Sequence, residues 1–206
     1  MSLRKVAAAL DTGPASLYAY VDDLDALRAL VLDHALAGVD IRGRANAGWR
    51  ENIVRVLESY ARASSASPGL AQLAFGRVAV GPNALRIVET LLGLLAEGGI
   101  DTATAAWAVD LLVLYVTAIV AEHATGAAVM SNDGPVSQAV SAVSEARYPQ
   151  IHGARAHMLS GAPEKRFRWA LEVLIRGILE VPRPAKPARR SRKVHSQIPG
   201  HRRRTR

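Results

Sequence analysis

The 206-residue sequence has no cysteine, which excludes disulfides and thiolate-ligated metal centres and fits a reducing cytoplasm. Aromatic residues are scarce, at 5%, and there is little of the apolar–polar alternation of half-buried strands. No GxxxxGK loop, no Rossmann glycine run after a strand and no HExxH pair is present. No enzyme constellation emerges and no cofactor is expected. The six histidines, His34, His123, His152, His157, His195 and His201, are scattered. Glu122 and His123 are neighbours that point different ways on a helix, and His152 and His157 stand five apart, so no metal site is read. No signal-like segment opens the sequence as given. The most apolar run, residues 107–121, is interrupted by Asp110 and is shorter than the ~20 residues that span a bilayer. A bundle helix, with no membrane partner, is the expectation there.

What the sequence does have is alanine, leucine and valine; apolar residues make up 50% of it. This composition predicts an all-α protein. The formal charge of +8 is unevenly placed. Residues 182–206 carry ten Lys or Arg and no acid, whereas the other 181 residues carry 16 basic and 18 acidic side chains. The body is slightly acidic, and the high isoelectric point belongs to the tail. That tail has four prolines and almost no large apolar residue, so it cannot offset its ordering entropy and is expected to be disordered. It either attracts nucleic acid nonspecifically by counterion release or is a solvated end.

Residues 3–24, LRKVAAALDTGPASLYAYVDDL, read as two short helices around a tight turn. Leu3, Val6, Ala7 and Leu10 share one helical face. Asp11-Thr12-Gly13 breaks the first helix, and Pro14 suits the first position of the second, where no N–H is needed. On the second helix Leu17 and Val21 point inward, while Ser16, Tyr18, Ala19 and Tyr20 face outward. That is a helix-turn-helix, whose second helix enters a DNA major groove.

In LRKVAxxL, a turn, xxSLYxYV and a further helix from Asp23 to Leu27, the chain resembles the TetR (tetracycline-repressor) family of transcription regulators. The resemblance continues through WRENIVRVLESYARASSASPGLAQL, WAVDLLVLYVTAIVAEH and FRWALEVLIRGIL, roughly residues 1–181. It implies a DNA-reading unit at 1–40, a helical ligand-binding and dimerisation domain at 41–181, and the tail at 182–206. It also implies a full helix ahead of the helix-turn-helix, which the sequence as given does not include. Where family members often place a phosphate-binding cation, this chain has Asp22, Asp23 and Asp25. Arg4, Lys5 and Arg28 are the only cations in the first 40 residues.

Further along, periodicity predicts a helix over 25–39 with a stripe at Leu27, Leu30, Val31 and His34, and one over 51–63 with Ile53, Leu57 and Tyr60 inward. A short helix at 70–77 follows the break at Pro68-Gly69. Asn83 is expected to cap the next helix, whose stripe is Leu85, Val88, Leu92 and Leu95, and Gly98-Gly99 to stop it. The longest helix should run from 101 or 102 to about 125, apolar all round. Residues 126–149 read as mostly a mobile connection, and 163–180 as the last helix, with Phe167, Leu171, Leu174 and Ile178 in line.

The resemblance assigns DNA contacts to Thr12, Pro14, Ser16, Tyr18 and Tyr20 of the reader. It places a small-molecule pocket in the body, with Tyr60, Phe75, Trp107, Tyr115 and His123 as candidate liners, because a few aromatic or polar groups among aliphatics suit a ligand cavity. An organic, largely apolar ligand is expected. Trp107, Leu111, Leu114 and Ala118 on one helix and Leu171, Leu174, Gly177 and Ile178 on another would form a twofold dimer seam. The function implied is a homodimeric, ligand-released repressor of a palindromic operator. The alternative is a ligand-binding or interaction dimer that no longer reads DNA specifically.

Overall fold

The computed structural model describes residues 2–76, 80–124, 134–181 and 183–184, excluding the side chains of residues 75 and 76. Within them lie ten α-helices: α1 (Leu3–Ala9), α2 (Pro14–Tyr18), α3 (Leu24–Leu36), α4 (Trp49–Ser64), α5 (Pro68–Gly76), α6 (Pro82–Glu97), α7 (Thr102–Ala124), α8 (Pro135–Ser141), α9 (Pro149–Met158) and α10 (Pro163–Glu180). No strand occurs among the described residues, as expected from the composition.

The body is built around α7. Helices α4, α5, α6 and α10 all pack against it. Its buried residues, among them Ala105, Ala108, Val109, Leu112, Val116 and Val120, join Ile53, Val56 and Leu57 of α4, Ile87, Leu91 and Leu95 of α6 and Leu171 and Ile175 of α10 in one core. At 23 residues α7 is longer than the apolar run suggests, and by length and composition alone it could cross a membrane. Its place among four helices explains the apolarity of its buried side, while Trp107, Leu111 and Leu114 are exposed. Its start is fixed by Asp101, whose carboxylate accepts from the backbone N–H of Ala103 and Thr104, as helix N-caps do.

The path from head to body runs through residues 37–48. These lie along α4, tied by the Asp40 N–H donating to Ser59 Oγ (2.8 Å) and by Asn52 receiving the Arg44 N–H and donating to the Ala47 carbonyl. Arg42 donates to Asp40 from its side chain and backbone and lowers that carboxyl to about 2. Helix α6 stops at Gly98, followed by Gly99 with φ +77, as the double glycine predicts. A Cβ at Gly98 would lie 2.6 Å from Trp49 Cε2, so glycine is what allows α6 to end against the start of α4. Gly98→Ala is expected to destabilise the fold by about 1–3 kcal/mol through overpacking, read as a lower thermal midpoint.

Several registers differ from the sequence reading. Most of the α3 stripe faces outward: Leu30, Val31 and His34 are exposed and Leu27 is half-buried, while Leu32, Asp33 and Leu36 are the buried residues. On α6, Leu85 is exposed and the inward face is Ala84, Ile87, Leu91, Leu94 and Leu95, with Val88 and Leu92 at its edge. Gly81, not Asn83, is the N-cap of α6. Of residues 126–149, 126–133 lie outside the described residues, but α8 follows, each of α8 and α9 opening on a proline at the first turn. Those prolines start helices rather than break them. The tail beyond 184 also lies outside the described residues.

Candidate functional site

The helix-turn-helix begins with Ser2, whose hydroxyl accepts the Lys5 N–H and caps α1. Leu3 and Ala7 are buried and Val6 is half-buried, but Leu10, expected on the same face, is exposed. Leu10 is already the C-cap, where the chain leaves helical geometry, so its side chain departs from the stripe. Asp11 then takes φ +50, a left-handed conformation available to Asp without glycine. The Thr12 N–H donates back to the Ala7 carbonyl at 3.0 Å, closing the turn. Gly13 caps α2 and Pro14 occupies its first turn.

Val21 is buried and Leu17 half-buried, which seats α2 from beneath. Its outer surface is Pro14, Ser16, Tyr18 and Ala19, all exposed, with Tyr20 just past the helix end; Thr12 is half-buried in the turn. Tyr18 is 56% and Tyr20 84% exposed. The acidic stretch that follows has a local structural use. Asp23 caps α3 by accepting the Ala26 N–H at 2.7 Å, and Asp25 in the first turn pairs with Arg28 at 3.0 Å. Both carboxylates lie at the positive end of a helix dipole, which accounts for them without any role at DNA.

Of the five candidate pocket residues, the four whose side chains are described face different surroundings. Tyr60 is buried, and its hydroxyl lies 3.1 Å from Thr117 Oγ1, joining α4 to α7. One turn further on α4, Ser64 is fully enclosed and its hydroxyl has no hydrogen-bond partner among the described residues. Tyr115 sits on a different face of α7, stacked at 6.1 Å on Phe167 of α10. Burial raises its pKa, as does the charge of Glu122, so its phenol stays protonated at neutral pH and can donate. His123 is exposed and Trp107 is 58% exposed, so neither lines the interior. The side chain of Phe75 lies outside the described residues. Among the described residues of the body, the buried polar side chains besides Tyr60 are Asn52, Ser59, Ser64, Thr104, Thr117 and Ser137; Asn52, Ser59 and Thr104 each accept a backbone N–H, whereas Tyr60 and Thr117 bond to each other. Ser64 and Thr117 were missed in the sequence because a single hydroxyl in an alanine- and valine-rich helix leaves no periodic signal.

Trp107 instead borders an open groove of about 400 Å³ with Thr104, Asp110, Leu111, Ile178, Val181, Arg183 and Pro184. The Arg183 guanidinium lies 4.6 Å over its ring, and the Arg183 N–H donates to Thr104 Oγ1. Trp107, Leu111 and Leu114 form an exposed apolar line on α7, with Ala118 half-buried beyond them. On α10 the expected seam divides. Leu171 is wholly enclosed in the chain's own core and has no surface to offer a partner; Ile178 is buried with only its edge on the groove, Leu174 is half-buried and Gly177 exposed. The outward apolar residues of α10 are Trp169, Val173 and Leu179. The same helix is fixed to α4 by Arg168, which reaches Glu51 and Glu58 at 2.7 and 2.8 Å.

Comparison with known proteins agrees with this architecture. Residues 43–181 match the family described as "Tetracyclin repressor-like, C-terminal domain". The Streptomyces coelicolor protein SCO7704, described as a transcription regulator, is 39% identical, with 90% of this chain and 87% of that one covered and a TM-score of 0.75. The S. coelicolor TetR family protein ActR in complex with (S)-DNPA is 31% identical, with 87% of each chain covered and a TM-score of 0.76; ActR was also solved with actinorhodin. An HTH-type transcriptional regulator of Saccharopolyspora erythraea is 32% identical over 103 residues, 50% of this chain and 44% of that protein. The match thus spans less than half the length of that curated relative. A helix-turn-helix head on an α-helical body, a family match across that body and a 39% identical regulator along nearly the whole chain lead to one conclusion: the chain belongs to the TetR family of transcription regulators.

Proposed function

We propose that this chain represses transcription as a homodimer bound to a palindromic operator, and that a small organic ligand in its body releases it. The observation that carries the reading is α2 itself. Ser16 and Tyr18 on this short helix and Tyr20 just past its end stand in solvent, while Leu17 and Val21 hold the inner side. Exposed aromatic rings are costly in water and useful against sugar, thymine methyl and phosphate.

The ligand part draws on ActR, which binds (S)-DNPA and actinorhodin. In this chain an apolar organic molecule would meet Tyr60, Ser64 and Thr117 as its polar contacts. The dimer part draws on the exposed apolar residues Trp107, Leu111 and Leu114 of α7 and Trp169 and Val173 of α10, since exposed apolar surface marks protein contacts. The protein would work inside the cell, where its operator is. A second reading, an interaction dimer that does not read DNA, is favoured by Leu10, Leu30 and Val31 exposed on the head.

Selection from a random duplex pool separates the two. The regulator reading expects recovered sequences to share an inverted repeat with half-sites about one helical turn apart, roughly 10 bp or a multiple of it. Recovery of unrelated sequences would leave the second reading.

A further inference from the structure

Helix α6 begins on a residue that cannot cap it. Gly81 has no side chain, and the first N–H groups of a helix need acceptors. The acceptor comes from another helix. Asp33 of α3 accepts the Ala84 N–H on Oδ1 at 2.9 Å, and on Oδ2 the Asn83 side-chain amide at 3.0 Å and the Asn83 N–H at 3.4 Å. It is the one carboxylate buried among the described residues, at 5% exposure. The fit leaves no slack, because a Cβ on Gly81 would fall 2.3 Å from Asp33 Cγ. Four residues along α3, a second tie acts in the opposite sense: Arg86 of α6 donates to the Ala37 carbonyl at 3.2 Å, at the C-terminal end of α3.

We propose that Asp33 is a positioning residue that sets the angle of α3, and with it the DNA-reading unit, against the helical body. Its carboxylate is held by a helix N-terminus, where both the dipole and the open N–H groups favour a negative charge. Arg86 supplies the second point, and two points on one rod fix a tilt where one would act as a pivot. The lever is long enough to matter. From Asp33 to Leu24, next to the seat of α2, α3 extends about 14 Å, so a tilt of about 10° moves that end by about 2 Å. Because α6 packs on α4 and α7, a molecule entering the body would move the seat of Asp33. This last, functional part rests on the regulator reading above; the positional part does not.

The absence of cysteine allows a direct test in the full chain. Asp25→Cys at the start of α3 and Glu97→Cys at the far end of α6, both exposed, take spin labels, and doping with unlabelled protein isolates the distance within one chain. Pulsed electron resonance should give one narrow distance distribution. Asp33→Asn keeps the shape but turns an amide toward donors, and Arg86→Ala removes the second tie from an exposed site. Both should shift or broaden the distribution by about 2 Å or more, and operator affinity should fall on the order of tenfold. A purely structural role would lower the melting temperature and leave the distance in the folded chain unchanged. If Asp33→Asn does not fold, Arg86→Ala still decides the matter. An unchanged distribution in the folded variants would overturn the proposal. A changed distribution in a chain without operator binding would uphold the positional part and defeat the regulator reading instead.

Discussion

Replacing Tyr18 by alanine should abolish operator binding while leaving the dimer and its melting temperature intact. Tyr18 is 56% exposed on α2, and substitutions at exposed positions usually change stability by less than about 0.5 kcal/mol. The weight of the side chain would fall entirely on the complex. A lost base or backbone contact costs about 1–3 kcal/mol at each site, and a twofold dimer loses it twice. The sum is about 2–6 kcal/mol, a drop in affinity of at least roughly 30-fold. Tyr20→Ala should act in the same direction. Val21→Ala, by contrast, should loosen the buried seat of α2 and lower stability as well as binding. Fluorescence anisotropy with the selected operator, beside thermal unfolding of each variant, separates these cases. Unchanged affinity in Tyr18→Ala would count against α2 as the reader.

The second large effect is expected on α10, where neighbouring residues face opposite surroundings. Leu171 is fully enclosed among α4, α7 and α10. Its replacement by alanine leaves a cavity and should cost about 2–5 kcal/mol of folding stability, or roughly 4–20 °C of melting temperature for a chain of this size. Trp169, two residues away, is largely exposed. If it anchors the twofold contact, Trp169→Ala removes a buried aromatic from both halves of one interface. At roughly 2 kcal/mol each, dimer dissociation should strengthen by on the order of a thousandfold, while the isolated subunit keeps its helical content. Sedimentation equilibrium reads the dimer and circular dichroism the fold. A Trp169→Ala protein that remains as dimeric as the parent would remove α10 from the interface.

That division of α10 also illustrates what the sequence could carry. Phe167, Leu171, Leu174 and Ile178 were in line in the sequence, and they are the inward side in the structure; the periodicity was sound, but it marks the chain's own core, and a partner must use what is left. Helices α7 and α10 were legible because long apolar patterns bounded by a capping Asp101, a double glycine or prolines admit few readings. The register of α6 was not. Its leucines and isoleucine occupy more than one face, so Leu85 and Ile87 compete for the core, and only packing against α4 and α7 decides for Ile87. On α3 the stripe of Leu27, Leu30 and Val31 was plausible by spacing, yet the buried side contains Asp33, a residue that burial disfavours unless it is bonded.

Its partners Asn83 and Ala84 lie 50 and 51 residues further along the chain. No local pattern announces a cap supplied from such a distance, and the sequence pointed to Asn83 as the cap. At the reader, legibility was high, because exposure on a five-residue helix after Gly13-Pro14 follows from the turn. In the body it was low. Whether Tyr60, Tyr115, Trp107 and His123 converge depends on which faces of α4 and α7 meet, and they do not: Tyr60 finds Thr117, Tyr115 finds Phe167, and Trp107 with His123 remains outside.

The central claim is that α2 reads sequence and that the basic tail does not account for DNA binding. Titration of the full chain against the selected operator and against a scrambled duplex, at several salt concentrations, tests it most directly. The account predicts that the operator is preferred by at least about 10³-fold and that the preference persists as salt rises. Equal affinities for both duplexes, falling together steeply with salt as counterion release by the ten tail cations would require, would contradict it.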